Sequence, residues 1–152
     1  MQLILFTTGK CRDAHIKALE SQYLTRLPDN QWRVLVRELP DGATPEDEAA
    51  AQLVALAGVP MPGVRILLDE RGENVGSREL AGKFADWQMD GVKAVAILIG
   101  GANGVSRTVL HRVDWVWSLG KVTFPHQMVR LIVAEQLYRM HTILAGHPYH
   151  RD

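Results

Sequence analysis

Short apolar segments alternate with segments of helical periodicity along this chain of 152 residues. The predicted strands are residues 2–8, 32–39, 64–69, 92–99 and 113–119. The predicted helices are residues 13–26, 45–58, 77–90, 106–112 and 125–144. Because strands that are mostly apolar alternate with helices, the pattern predicts an α/β fold with a parallel sheet covered on both faces. Charged residues alternate with apolar ones in 32–39, which predicts that this strand lies near an edge of the sheet. Residues 70–76 are predicted to form a turn, and Ser77 is predicted to cap the third helix after it.

Length and composition favour a single domain over residues 1–152, with no internal repeat or linker. Hydrophobic residues make up 47% of the chain, which is enough for a substantial core. A single cysteine, Cys11, excludes a disulfide framework and a multi-cysteine zinc site. The apolar runs are shorter than the roughly 20 residues of a membrane span, and the first residues lack a basic leader. We therefore expect a cytoplasmic protein without a membrane partner.

The charge is balanced overall but uneven along the chain. Seventeen basic and seventeen acidic residues give a net charge of zero, which argues against a broad, sequence-independent grip on nucleic acid. Residues 100–152, however, hold six of the lysines and arginines against three acids, and five of the six histidines. An anionic partner is therefore expected at the C-terminal third.

Two predicted strands end in residues that suit a ligand site. Residues 99–104 read Ile-Gly-Gly-Ala-Asn-Gly, and three glycines in five residues let a backbone approach a ligand closely. Ligands of open α/β sheets lie beyond the carboxyl ends of strands, although a tight turn alone would explain the same glycines. The spacing matches neither a dinucleotide fingerprint nor a P-loop. Asp69 ends the strand 64–69, where core packing and the start of a turn would also explain it, and it matters only if it opens into the same cleft as Gly100.

The last predicted helix begins after Pro125 and carries His126 and Arg130 on one face. Arg130 and Arg139 are candidates for bidentate phosphate contacts, with a solvated face and an ion pair to Glu135 as the alternative. Apolar residues cover more of this helix than one core-facing stripe needs, so it is either central or part of an oligomer interface. We favour the interface of a symmetric dimer.

The tail after this helix reads Gly-His-Pro-Tyr-His-Arg over residues 146–151. A stacking Tyr149 beside His150 and Arg151 would suit an unpaired RNA base. No third ligand with recognisable spacing accompanies the two histidines, so we expect no metal site.

Three motifs together carry a resemblance to a known family. They are Ile-Gly-Gly-x-x-Gly after a buried strand, Thr-Phe-Pro-His-Gln opening an Arg-x-x-x-x-Glu-Gln-x-Tyr-Arg helix, and a terminal His-Pro-Tyr-His. The whole chain resembles the small bacterial SPOUT-class methyltransferases that make N3-methylpseudouridine in large-subunit ribosomal RNA. The resemblance implies an α/β-knot fold, in which the C-terminal stretch threads a loop to form a trefoil knot.

The same resemblance implies a cofactor, a partner and a substrate. The cofactor is S-adenosylmethionine, and by motif match its contacts fall on Leu68, Gly100, Leu119, Gly120, Lys121, Val122, Thr123 and Phe124. The implied assembly is a homodimer, in which one subunit holds the cofactor and the other helps receive the RNA. The implied substrate is a pseudouridine in helix 69 of 23S ribosomal RNA on the assembled ribosome.

Methylation of N3 requires a group that accepts its proton, and His126 or His150 is our hypothesis for that role. Arg130, Arg139 and Tyr138 would bind phosphate or the flipped base, Tyr149 would stack, and Arg151 would contact RNA. Glu135 is expected to be structural. Three other functions compete with this one: a non-enzymatic ribosome-binding factor, a knot methyltransferase acting on transfer RNA, and a generic nucleotide-binding enzyme. The missing phosphate loop disfavours the nucleotide-binding enzyme.

Overall fold

A computed structural model describes residues 1–28 and 30–151, which form one five-stranded sheet flanked by helices. The strands are β1 (Gln2–Thr8), β2 (Arg33–Leu39), β3 (Gly63–Asn74), β4 (Ala94–Ile99) and β5 (Trp115–Ser118). The helices are α1 (Ala14–Leu24), α2 (Pro45–Ala57), α3 (Ser77–Met89), α4 (Arg107–Leu110) and α5 (His126–Leu144). The strand order is β2-β1-β4-β3-β5 and every pairing is parallel, so the predicted α/β class is confirmed. The strand predicted near an edge, β2, lies at one.

Alternate residues of the strands divide the core into two layers. Leu3 and Leu5 of β1 join a cluster that is closed by α3 and α5, whereas Ile4 and Phe6 join a cluster beneath α2 and α4. All six residues of β4 are buried, because the strand is central and covered on both faces. The carboxyl ends of β1, β3 and β4 therefore meet at one edge of a covered sheet, where the glycine-rich residues 100–104 follow β4.

Local hydrogen bonds explain where two helices begin. The Thr44 hydroxyl accepts a hydrogen bond from the backbone N–H of Asp47 at 3.2 Å, and the Asp47 carboxylate accepts one from the Thr44 N–H at 3.0 Å. This capping box, with Pro45 as the next residue, fixes the start of α2. The prediction that Ser77 caps α3 is wrong: the cap is Gly76, and the Ser77 hydroxyl instead donates to Gln136 of α5 at 3.0 Å.

β3 is longer than the sequence predicts. It continues to Asn74 through the residues predicted as a turn, and its register against β5 shifts between Leu68 and Glu73. At Gly72 an added Cβ would lie 2.6 Å from the carbonyl oxygen of Val116, so only glycine permits the strands to approach there. Charged residues in this extension hide its strand character from a pattern based on apolar side chains.

α5 occupies a central position on its face of the sheet, where it packs against α1 and α3. Val133, Leu137 and Met140 are almost fully buried, which accounts for much of the excess apolar surface. The sequence favours an interface for this surface, whereas the structure places a large part of it inside one chain. Met128, Leu131 and Ile132 belong to neither core cluster of the described residues, and Met128 is 43% exposed. Within residues 1–28 and 30–151, no helix is long and apolar enough to cross a membrane.

Candidate functional site

A cavity of about 490 Å³ opens at the carboxyl edge of the sheet, beyond the ends of β4 and β5 and beside residues 68–71 of β3. Its wall includes the predicted cofactor residues Leu68, Leu119, Gly120, Val122, Thr123 and Phe124. A second cavity of about 280 Å³ shares Leu68 and Phe124 with the first and adds Gly100 and His126. Segments far apart in the chain thus converge at the predicted place. Lys121 is exposed and lines neither cavity among the described residues.

Glycines and backbone hydrogen bonds shape the cavity wall. An added Cβ at Gly100 would lie 2.8 Å from Val105 Cγ1, so a side chain there would displace Val105, which lines the second cavity. Gly120 has a φ of 126°, a conformation that other residues rarely adopt. The Ser118 hydroxyl accepts a hydrogen bond from the Gly120 N–H at 3.0 Å, which fixes the start of the loop 119–124. Sequence reasoning gave Ser118 no role, because a buried serine at a strand end has no distinctive pattern.

Asp69 lines both cavities and therefore opens into the same cleft as Gly100. Its carboxylate accepts two hydrogen bonds of 2.8 Å from the Arg71 guanidinium. These bonds, together with the backbone N–H of Arg71, hold the pKa of Asp69 below its ordinary value against the opposing effect of burial. Asp69 thus places an ionised carboxylate on the cavity wall, paired with the Arg71 guanidinium.

His126 and Arg130 have different environments although they are four residues apart. His126 is half-buried and lines the second cavity. Arg130 is only 4% exposed, and its guanidinium is held by the carboxylates of Glu20 and Glu38, with N–O distances of 3.1 and 2.9 Å. Burial disfavours its charge, but the hydrogen bonds to both glutamates raise the pKa of Arg130. The structure therefore gives Arg130 a buried ion-pair position and does not bring it into the cleft.

The other predicted RNA-contacting residues gather at the C-terminal end of α5. We call this group the tail cluster; its members are Tyr23, Arg26, Glu135, Tyr138, Arg139, Tyr149 and His150. Glu135 Oε1 accepts hydrogen bonds from Arg139 Nη2 at 2.6 Å and from the Tyr149 hydroxyl at 3.0 Å, so Glu135 pairs an arginine as expected.

Further contacts hold the tail in place. Arg139 Nη1 lies 3.2 Å from His150 Nδ1, and the Tyr138 and Tyr149 rings meet edge to face at 4.9 Å. Burial first, and then the hydrogen bonds to Tyr23 and Glu135, raise the pKa of the Tyr149 hydroxyl above its ordinary value. Arg151 is exposed beyond the cluster.

Within one chain the cavity histidine and the tail cluster are well separated. Arg139 follows His126 by thirteen residue steps of continuous helix, which corresponds to about 20 Å at 1.5 Å per residue. One copy of the chain therefore divides the predicted catalytic residues. Tyr138 and His150 belong to the tail cluster, whereas His126 lines the cavity. Arg130 lies in neither place. No group of three metal-ligating side chains occurs within the described part of the chain.

Comparisons with known proteins agree with this geometry. A family model described as "Predicted SPOUT methyltransferase" matches residues 1–150. A protein from Paramagnetospirillum magneticum named "Ribosomal RNA large subunit methyltransferase H" is 39% identical over 151 residues, which cover 99% of each chain. A protein of the same name from Cereibacter sphaeroides is 40% identical over 156 residues, again 99% of each.

A solved structure gives a likeness in fold alone. It is titled "The structure of a probable methylase family protein from Haemophilus influenzae Rd KW20", with a TM-score of 0.54 and 9% sequence identity. The match covers 95% of this chain and 66% of that one. The whole-length family match and the cavity at the carboxyl edge of the sheet lead to one conclusion: this chain belongs to the SPOUT methyltransferase family.

Proposed function

We propose that this protein transfers a methyl group from S-adenosylmethionine to N3 of a pseudouridine in helix 69 of 23S ribosomal RNA, on the assembled ribosome. The observation that carries the proposal is the cavity where Leu68, Gly100 and the loop 119–124 converge. Relatives that match the full length of the chain bear the name of a large-subunit ribosomal RNA methyltransferase, which supports the substrate class.

The residues present fit S-adenosylmethionine. A volume of about 490 Å³ lies within the range of small-molecule sites. In the adjoining cavity, glycine at position 100 leaves the wall without a Cβ that would crowd Val105. We assign Leu68, Gly100, Leu119, Gly120, Val122, Thr123 and Phe124 to the cofactor, with Lys121 at the rim. When bound, the cofactor supplies an electrophilic methyl group on a sulfonium. The trefoil knot, which the family implies, would hold these segments against one another.

His126 is the residue we assign to proton transfer, since it lies on the cavity wall. A neutral imidazole accepts a proton near pH 7 and is thus suited to take the N3 proton as the methyl group arrives. Its half-buried position limits water at the reacting atoms. Arg130 acts here as a positioning residue, because it anchors α5 one turn beyond His126 through Glu20 and Glu38.

A homodimer would bring the separated parts together. Met128, Leu131 and Ile132 lie outside both cores, which favours contact of α5 with a second copy. In a symmetric dimer with antiparallel α5 helices, the tail cluster of one protomer would approach the His126 of its partner across the 20 Å gap. Tyr138, Arg139, Tyr149, His150 and Arg151 would then contact RNA beside the partner's cavity.

The balanced net charge is consistent with a preassembled substrate. An assembled ribosome presents a shaped surface, so the enzyme need not supply all of the binding electrostatics. Such a substrate would place the protein in the cytoplasm.

The test combines a binding measurement with an activity measurement. S-adenosylmethionine is titrated calorimetrically into the protein, and assembled ribosomes, isolated subunits and transfer RNA are then incubated with labelled cofactor. We expect cofactor binding and a methylated pseudouridine from assembled ribosomes only, identified by mass spectrometry. Ribosome association without cofactor binding would establish a non-enzymatic factor instead, and methylated transfer RNA with unmodified ribosomes would establish a different substrate.

A further inference from the structure

A buried carboxylate outside the cavity lies directly behind its glycine-rich wall. Glu48, in the first turns of α2, is 5% exposed, yet no lysine, arginine or histidine forms a salt bridge with it among the described residues. Burying a charge without a cation is costly unless hydrogen bonds replace those of water. The hydrogen bonds and close contacts of the Glu48 carboxylate must therefore account for its buried position.

The carboxylate of Glu48 lies between two glycines. Its Oε1 accepts a hydrogen bond from the backbone N–H of Gly42 at 3.1 Å. On the other side it occupies the space beside Gly101, where an added Cβ would lie 2.7 Å from Oε2 and 2.9 Å from Cδ. Gly101 does not have a positive φ, so it is this contact, and not backbone strain, that requires glycine there.

Other contacts join the same two loops. The Asn103 amide donates to the carbonyl oxygen of Ala43 at 3.3 Å, so the loop before α2 is connected to the loop after β4 at a second point. One turn beyond Glu48, the buried Gln52 amide donates to the Thr8 hydroxyl at the end of β1 at 3.0 Å. α2 thus presents two buried polar side chains to the carboxyl edge of the sheet.

We propose that Glu48 is a positioning residue whose carboxylate holds the glycine loop (residues 99–104) in the shape that the cofactor cavity requires. The glycine loop has no side chain of its own to fix its backbone at Gly100 and Gly101, and the carboxylate supplies that support from behind. Glu48 does not touch the cavity and takes no part in the transfer itself. The inference rests on the proposed binding of S-adenosylmethionine and adds a residue that controls it.

The first experiment compares Glu48→Ala with Glu46→Ala, which removes the same charge from an exposed position in the same turn. The measured quantity is the Kd for S-adenosylmethionine. We expect Glu48→Ala to weaken binding about tenfold or more, because the truncated side chain no longer supports the backbone of the glycine loop. Glu46→Ala should remain within about twofold of the original protein. Equal affinities for the two variants would overturn the proposal.

The second experiment does not depend on the cofactor. Amide hydrogen exchange of residues 100–104 is measured in the free protein, and Glu48→Ala should accelerate it while Glu46→Ala should not. Faster exchange in a protein that shows no cofactor binding would contradict the proposed function but support the role of Glu48. Unchanged exchange, with cofactor binding intact, would contradict the role of Glu48 alone.

The third experiment uses the close approach to Gly101. Gly101→Ala should displace the carboxylate and weaken cofactor binding, and the same change should add little in the Glu48→Ala background. Glu48→Gln retains the shape and one acceptor oxygen, so its Kd should stay within about threefold. If Glu48→Ala fails to fold, Glu48→Asp, which withdraws the carboxylate by one methylene, takes its place. Additive effects, or equal losses for the Gln and the truncated variants, would overturn the proposal.

Discussion

Arg130 and Arg139 belong to the same helix and the same sequence motif, but the structure places them in opposite situations. Arg130 is buried between carboxylates from α1 and β2, near the cavity end of α5. Arg139 lies in the partly exposed tail cluster and pairs with a carboxylate of its own helix. The side-chain type alone predicts a phosphate contact at both positions. Burial and partners distinguish them: Arg130 is buried, whereas Arg139 stays partly exposed and remains our candidate for an RNA contact.

The largest expected effect separates the two arginines by stability. Arg130→Ala leaves two carboxylates without their cation, one of them buried, and should lower the free energy of unfolding by about 3–5 kcal/mol. Arg139→Ala should lower it by only about 1 kcal/mol, because the pair it breaks is near the surface. Chemical denaturation of both variants measures the difference. Equal losses would remove the distinction between the two ends of α5.

The next effect separates them by activity. Arg139→Ala should reduce kcat/KM on assembled ribosomes by about 10–100-fold, since a hydrogen bond to a charged group contributes about 1.5–3 kcal/mol. The Kd for S-adenosylmethionine should not change, because Arg139 lies about 20 Å along the helix from His126. Arg139→Lys is the matched variant: it keeps the charge but loses the bidentate geometry, so we expect an intermediate rate. A weaker affinity for the cofactor would connect the tail cluster to the cavity instead.

Acid should weaken the cavity end of α5 through Glu38. The backbone N–H of Cys11 first, and then Arg130, hold the pKa of Glu38 below its ordinary 4.5. The contribution of Glu38 to stability is therefore present above that value and is lost as the pH falls through the lower folded pKa. Denaturation curves at decreasing pH should show this loss, and Glu38→Gln should reduce its size. A Glu38→Gln protein with the same acid profile would show that Glu38 contributes nothing to it.

As the pH falls, the C-terminal half of α5 should begin to lose stability at a higher pH than the cavity end does, and the loss should be smaller. Burial against Trp32 and the nearby His147 hold the pKa of His141 below its ordinary 6.5. The unfolded chain then binds the proton more readily, so stability decreases as the pH falls from 6.5 through the lower folded pKa. His141→Gln should flatten this part of the profile, because the substituted side chain does not titrate. The measurement is the unfolding midpoint in mildly acidic buffers, and an unchanged slope would contradict the assignment.

The sheet and most of its helices were predictable from the chain, because periodicity and turn residues are local signals. The edge position of β2 followed from its alternating charges, and the central position of β4 from its continuous apolar run. The extension of β3 was not predictable, since its charged residues lack the apolar pattern of a strand and its pairing with β5 changes register between Leu68 and Glu73.

In the site, too, local motifs predicted some residues, whereas contacts between residues distant in the sequence determined others. The cavity wall matched the motif residues, apart from Lys121. The buried position of Arg130 depends on its ion pair with Glu20, which is 110 residues away in the chain. No spacing within α5 predicts that contact. Glu48 was missed for the same reason, as its two glycine neighbours lie in different loops.

The length of α5 fixes the distance between the cavity and the tail cluster. An insertion or deletion of a single residue between His126 and Arg139 would rotate the cluster by about 100° around the helix axis and shift it by about 1.5 Å. The arginine would then face a different neighbour, and the tail would lose the surface on which it rests. Substitutions along α5 can therefore change the contacts of the tail cluster without moving it. An insertion or deletion in α5 would change the position of the cluster relative to the cavity.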